Sequence, residues 1–223
     1  DKIVQAHESG AIHFHDADYF VQPIFNCCLI HIGDMLDHGT VINGKLIETP
    51  KSFRVACTVT TQIIASVASN QYGGQSVDLI HLGKYLRYSR EKFQKKAQRE
   101  LGESFSKDQI AQVVSMWTKE ELQAGVQTMQ YQINTLMTTN GQSPFVTLFL
   151  HIDEQDPYVE ENALIIEEVF RQRYQGIKKE KGVYVTPAFP KLVYVLDEHN
   201  CLKGGKYDYL TKLAAKCSAK RMY

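Results

Sequence analysis

Four side chains in the first thirty residues have the types and spacing for chemistry: His13 and His15 around Phe14, and the adjoining pair Cys27-Cys28. In an extended segment side chains alternate with period two, so His13 and His15 point the same way, with Asp16 and Asp18 close by. Such a set can ligate a metal, as a His-x-His at the end of a first barrel strand does in metal-dependent hydrolases. It can equally form a polar cradle for a substrate, because His7, His31, His38, His81, His151 and His199 make no comparable cluster along the sequence. The same alternation separates the two thiols. Cys27 and Cys28 cannot both face one cavity, and adjacent alpha carbons ~3.8 Å apart fall short of the roughly 4.4 Å that ordinary disulfides need. Either both are small hydrophobes in a core strand, or one faces a cavity and donates a hydrogen atom or an electron pair. In the second case the pair makes no cooperative dithiol, and the reductant comes from elsewhere.

The elements that must position these groups follow from pattern. Ile24-Phe25 and Leu29-Ile30-His31-Ile32 frame the thiols in a near-continuous apolar run within residues 11–32, which predicts a strand buried on both faces. Thr49-Pro50 predicts a helix start, with Val55, Val59, Ile63 and Val67 along it and a stop at Gly73-Gly74. A second helix is expected over about 76–101, with Leu79, Leu82 and Leu86 on one side and a solvated charged tail from Arg87 to Arg99. Ser106-Lys107-Asp108-Gln109 and Thr118-Lys119-Glu120-Glu121 both match the capping box, which predicts two helix starts. The second of these helices carries Leu122, Val126, Met129, Ile133 and Leu136 as a core or dimer-facing stripe and should stop near Asn140-Gly141. Pro144 to Leu150 reads as a buried strand, and Asp156-Pro157 opens a helix closing near Gly176. Phe189 to Leu196 is a third strand, and a last helix covers about 208–221. Strands alternating with helices predict an α/β architecture with a largely parallel sheet, in one domain or part of one.

Composition narrows the class. A chain of 223 residues with 43% apolar side chains can bury a core. Twenty-five Lys+Arg balance twenty-five Asp+Glu, so there is no electrostatic case for wrapping nucleic acid or lying on an anionic membrane. No apolar run nears the ~18 residues of a membrane span, and no signal-peptide layout opens the chain, which points to a cytoplasmic protein. Cys27, Cys28, Cys57, Cys201 and Cys217 fit neither a disulfide framework nor a Cys-x-x-Cys zinc site, so reduced thiols are expected. Gly73-Gly74 lacks the phosphate-loop pattern, and neither a Gly-x-Ser-x-Gly elbow nor a Ser-His-Asp order occurs. The start at Asp1 and the stop at Arg221-Met222-Tyr223 directly after a helix lead us to expect a piece of something longer.

Several segments then combine. They are Ile12-His13-Phe14-His15-Asp16-Ala17-Asp18-Tyr19, Phe25-Asn26-Cys27, Val67-Ala68-Ser69-Asn70-Gln71-Tyr72-Gly73-Gly74 and Asn134-Thr135-Leu136. Asn140-Gly141-Gln142-Ser143-Pro144-Phe145-Val146-Thr147, Phe189-Pro190-Lys191-Leu192-Val193 and Lys220-Arg221-Met222-Tyr223 complete the set. In this order, across nearly the whole chain, they resemble the anaerobic (class III) ribonucleoside-triphosphate reductases, and the set is far more specific than any one member.

The resemblance implies that residues 1–223 form a partial catalytic domain, part of the ten-stranded α/β barrel of ribonucleotide reductases and glycyl radical enzymes. It implies anaerobic reduction of ribonucleoside triphosphates to 2′-deoxyribonucleoside triphosphates for DNA synthesis. In that family an iron–sulfur, S-adenosylmethionine activase installs a glycyl radical, which raises a thiyl radical on a finger-loop cysteine. The thiyl takes the ribose 3′ hydrogen, the 2′ hydroxyl leaves as water, and a cysteine on the first strand assists the reduction. The resemblance further implies formate as reductant, a structural zinc, magnesium-bound nucleotide, deoxynucleoside triphosphate or ATP effectors, and a homodimer. Carried over residue by residue, Cys27 takes the catalytic first-strand role, while Cys28 falls where relatives carry various apolar residues. His13, His15 and Asn26 are assigned to substrate or formate contacts, and no metal ligand is assigned. The helices of about 76–137 resemble the dimer-interface and effector region.

The ATP cone, the finger-loop cysteine, the zinc ribbon and the radical glycine are absent from these 223 residues. Alone, the piece is expected to hold no cofactor, turn nothing over, and self-associate through sheet edges that its missing half would pair. Two rival readings remain: a metal-dependent hydrolase using His13 and His15, and a non-catalytic effector-binding and dimerisation fragment.

Overall fold

The computed structural model describes residues 1–14, 27–71, 73–102, 104–137 and 143–222. In chain order the first elements are α1 (Lys2–Glu8), β1 (Cys28–Ile30), α2 (Ile32–Asp37), β2 (Thr40–Ile42), β3 (Lys45–Ile47) and α3 (Phe53–Ala68). Next come β4 (Gln75–Asp78), a 3₁₀ turn (Leu79–Leu82), α4 (Gly83–Leu101), α5 (Lys107–Thr135) and β5 (Val146–Leu150). The chain continues through α6 (Val159–Gln175), β6 (Ile177–Lys178), β7 (Tyr184–Val185), β8 (Lys191–Tyr194), α7 (Glu198–Cys201) and α8 (Asp208–Arg221). Strands β1, β4, β5 and β8 form one parallel sheet in that spatial order. Sequential parallel order with crossovers of one hand places the connecting helices on a single face.

Register makes the two faces explicit. Cys28, Gln75 and Val146 lie level with one another, and so do Ile30, Val77, Leu148 and Leu192. Val77, Val146, Leu148 and Leu150 are at most 1% exposed and join one core with Phe53, Ile63, Met129, Ile133 and Ile165 from the helices. The alternate row, Leu29, Ser76, Thr147 and Lys191, belongs to the other face, where Leu29 is 84% exposed. One face is closed by the chain's own helices; on the other, which we call the open face, Leu29 and Lys191 are exposed and Ser76 and Thr147 partly so among the described residues.

The helical layer is tied together by groups far apart in sequence. The first free amides of α3 find acceptors on other helices: Phe53 N–H donates to Ser89 Oγ at 2.8 Å, and Arg54 N–H to Glu121 Oε1 at 3.0 Å. Helix α3 packs closely on α5 because Gly125 has no side chain; a Cβ there would lie 2.5 Å from Phe53 Cε1. Glu161 of α6, 1% exposed, receives a two-pronged bond from Arg87 (Nε 3.1 Å, Nη2 2.7 Å) and a further one from Arg90. A buried carboxylate needs such pairing, since losing one partner of a buried ion pair costs about 3–5 kcal/mol.

Several expectations are corrected. The helix expected from about residue 76 does not start there: Gln75–Asp78 is the strand β4. Its Gln-Ser-Val-Asp sequence carries no strand-like apolar run, and pairing on both sides overrides local propensity. Helix α3 starts at Phe53 rather than at Thr49-Pro50, because its capping acceptors come from Ser89 and Glu121. Thr118 starts no helix: α5 runs unbroken through it, and its buried hydroxyl donates to the Val114 carbonyl at 2.7 Å. Ser106 does open α5 with both bonds of the box formed. Helix α5 ends at Thr135, and the expected stop at Asn140-Gly141 lies outside the described residues. The tail of α4 is not merely a solvated face, given the Arg87 and Arg90 bonds to Glu161. Strands β1 and β5 are buried on one face only, with alternating rather than continuous burial. The hairpin β2–β3 turns at Asn43-Gly44, both at positive φ, the dipeptide that two-residue hairpin turns favour.

Candidate active site

The two thiols take opposite sides. Cys28 is half-buried on the helix-covered face, and its Sγ donates to Gln71 Oε1 at 2.8 Å. Burial, and secondarily the adjoining Cys27, push its pKa upward, so it remains a thiol. Cys27 is exposed, and continued alternation puts it on the open side with Leu29. Both ladders reach one residue before β4 and β5: Cys28 N–H donates to the Gly74 carbonyl at 3.1 Å, and Gln75 N–H to the Phe145 carbonyl at 2.9 Å. Continuing the registers of the three strand pairs one or two residues back sets Cys27 in line with Gly74, Phe145 and Phe189.

That level has a distinct shape. Gly74 presents no side chain beside Cys27, and a Cβ there would touch Phe145 Cδ1 at 3.5 Å. Beyond it the Phe145 and Phe189 rings pack with centroids 4.4 Å apart, and Lys191 Nζ lies 5.2 Å from the Phe145 centroid. The helical layer fixes this floor from behind. Asn134 Nδ2 donates to the Phe189 carbonyl at 2.9 Å, and the buried guanidinium of Arg173 donates to the Pro187 carbonyl at 3.1 Å and to the Pro190 carbonyl. The result is one exposed thiol and, beyond Gly74 on the next strands, an aromatic pair with a cation near one ring. Thiols of this kind exchange hydrogen atoms or electron pairs, and the floor suits a flat, anionic ligand.

His13 is not on a strand. It follows α1 in an irregular segment, its ring 5.5 Å from that of His7, while Phe14 N–H donates to His7 Nδ1 at 3.0 Å. The strand expectation fails at His13 and Phe14, which stand outside any regular element. His15 and Asn26 lie outside the described residues. Among the described residues no group of three or more His, Cys, Asp or Glu side chains could hold a metal ion. Gln71, Phe145, Phe189 and Lys191 had not been singled out as site residues, although the alternation in Val146-Thr147-Leu148-Phe149-Leu150 marked two distinct faces.

A second concavity, a groove of about 760 Å³, lies on the helical side. It is lined by Lys51, Lys92, Lys95, Lys96 and Arg99 together with Tyr88 and Phe93, and Glu91 is its single acid.

A parallel sheet in sequential strand order, helices on one face and a thiol on the other, defines part of an α/β barrel of the thiol-bearing kind. The chain belongs to the anaerobic ribonucleoside-triphosphate reductase family, whose model matches residues 1–223. It is 38% identical over 225 residues to the anaerobic ribonucleoside-triphosphate reductase of Escherichia coli, covering 99% of this chain and 30% of that protein. The Enterobacteria phage T4 protein of the same name is 36% identical over 229 residues, covering 99% of this chain and 35% of its own. The chain thus spans about a third of the length of such relatives. The anaerobic ribonucleotide reductase of Thermotoga maritima, solved with dATP in its specificity site, superposes with a TM-score of 0.64 at 13% identity, over 98% of this chain and 36% of that one. Its complex with dATP and CTP gives 0.63 at 12% identity, over 98% and 35%. At such identity these structures establish the fold. Among the described residues no helix is long and apolar enough to cross a membrane.

Proposed function

We propose that this chain is the first part of the catalytic barrel of an enzyme that reduces ribonucleoside triphosphates to 2′-deoxyribonucleoside triphosphates, with Cys27 as its barrel thiol. The observation that carries the reading is the division of the adjoining thiols, Cys27 exposed on the open face and Cys28 bonded to Gln71 on the other. A radical raised elsewhere in the longer protein supplies the abstraction of the ribose 3′ hydrogen. Cys27 delivers a hydrogen atom to the sugar as the 2′ hydroxyl leaves as water. A two-electron donor, which we take to be formate leaving as carbon dioxide, completes the balance. The Phe145 and Phe189 rings give the nucleotide an apolar floor, and Lys191 offers its phosphates a cation. His13, with His15 and Asn26, is reserved for substrate or formate contacts.

The cationic groove accounts for a second activity of the same protein. Five basic side chains around Tyr88 and Phe93 match the charge and stacking needs of a nucleoside triphosphate effector, in a volume of about 760 Å³. A homodimer through the helical region and an activating partner that installs the radical complete the proposal.

The decisive test compares Cys27→Ser with Cys28→Ser in the full-length, radical-loaded enzyme. Cys27→Ser should lower turnover by about 10³-fold or more, as loss of a reacting group does, and Cys28→Ser should leave it near the parent value. The opposite pattern overturns the assignment. For the groove, calorimetry with deoxynucleoside triphosphates should show binding that Lys95→Glu weakens by roughly tenfold or more. No binding to any of them rejects the effector reading.

A further inference from the structure

Two adjoining thiols, one opening a three-residue strand and one just before it, with a described neighbour on one side only, raise the question of what fixes their register. A slip of one residue would exchange them, turning Cys28 outward and Cys27 inward, and short edge strands resist such slips weakly. Gln71, two residues past the C-cap of α3, is 8% exposed and commits its whole amide to this junction. Its Oε1 accepts from Cys28 Sγ at 2.8 Å, and its Nε2 donates to the carbonyls of Gly73 and Gly74, each at 2.9 Å. The Gly74 carbonyl in turn accepts the Cys28 backbone N–H at 3.1 Å. One side chain therefore grips the thiol, the turn before β4 and the ladder bond between them.

We propose that Gln71 is the positioning residue that decides which of the two thiols faces the open side of the sheet. A slip of β1 would break the Cys28 bond and strand a buried amide oxygen, a penalty the helix-covered face imposes on every wrong register. Hydrophobicity discriminates weakly here, because the slip exchanges one cysteine for the other and Ile30 for Leu29, an apolar side chain of the same size. The geometric claim is independent of catalysis; only its consequence for turnover rests on the reading of Cys27 as the reacting thiol.

The test is site-resolved alkylation of the full-length protein with limiting iodoacetamide, read by mass spectrometry as the ratio of modification at Cys27 to that at Cys28. Gln71→Met keeps size and removes the hydrogen bonds. The ratio should fall by about tenfold, the scale of one lost hydrogen bond, while circular dichroism stays unchanged. A ratio within about twofold of the parent in the folded variant overturns the proposal. Should Gln71→Met not fold, the same question is put from the other end of the bond. Cys28→Ser keeps a donor for Gln71 and should preserve the Cys27 alkylation rate, whereas Cys28→Ala should change it by roughly threefold or more; equal rates in the two overturn the proposal. In the radical-loaded enzyme Gln71→Met should lower kcat by about tenfold with KM within about twofold of the parent. A collapsed alkylation ratio with unchanged kcat would leave the positioning role standing and reject Cys27 as the reacting thiol.

Discussion

The two faces of the one sheet differ more than any two segments of the sequence. Along β5 the odd and even positions enter different worlds: Val146, Leu148 and Leu150 are sealed under α3, α5 and α6, while Thr147 and Phe149 look outward. Along β1 the same alternation places Cys28 in one and Cys27 in the other. The covered face carries the core; the open face carries the groups to which the proposed function gives chemistry. A residue's role in this chain thus depends on its parity in a strand as much as on its type. Gln75 and Ser76, neighbours in sequence, illustrate this: Gln75 is buried and donates to the Ile64 carbonyl at 3.0 Å, while Ser76 lies in the open row.

The contrast can be broken most sharply by truncating one residue on each face. Leu148→Ala should cost about 2–5 kcal/mol through the cavity it leaves, while Leu29→Ala, level with it by one residue, should cost no more than ~0.5 kcal/mol in this chain. Urea unfolding measures both, and comparable losses would refute the division of faces. A smaller effect is expected where the covering layer itself is tight. Gly125→Ala pushes a methyl against Phe53 and should destabilise by about 1–3 kcal/mol, with the same unfolding assay as readout. No loss would mean that α3 and α5 part easily.

The smallest expected effect concerns pH at the edge between the faces. Burial, and next the neighbouring His31, hold His81 below the usual histidine range; the two rings sit 4.7 Å apart. Folding therefore favours the neutral ring, and the unfolded chain binds the extra proton below its ordinary value of about 6.5. This contribution to stability is complete above that pH and is lost as pH falls toward the folded value. Thermal melts from pH 7.5 to 5 should show a decline that His81→Gln flattens, and an equal slope in both proteins would count against it.

Much of this was legible beforehand, and for local reasons. The capping box at Ser106, the close of α6 at Gly176, the last helix at 208–221 and the core stripe of Leu122, Val126, Met129 and Ile133 depend on neighbours within a turn or two. The opposition of Cys27 and Cys28 also follows locally, from the alternation of an extended backbone. What local pattern misjudged was settled across the fold. Thr118 matches a capping box yet sits mid-helix, because its face packs inward and its hydroxyl bonds back to Val114. Gln75-Ser76-Val77-Asp78 has no strand signature yet holds a central strand, because β1 and β5 pair with it on either side.

By itself, then, the sequence determined the alternation of strands and helices, the family motifs and the rule that only one of two adjoining thiols can face a substrate. It could not say which one from geometry, because alternation fixes relative orientation and leaves the absolute face open. What the tertiary structure adds is that helices cover one side of the sheet and the buried Gln71 amide, just past the end of α3, bonds Cys28, while Cys27 is exposed.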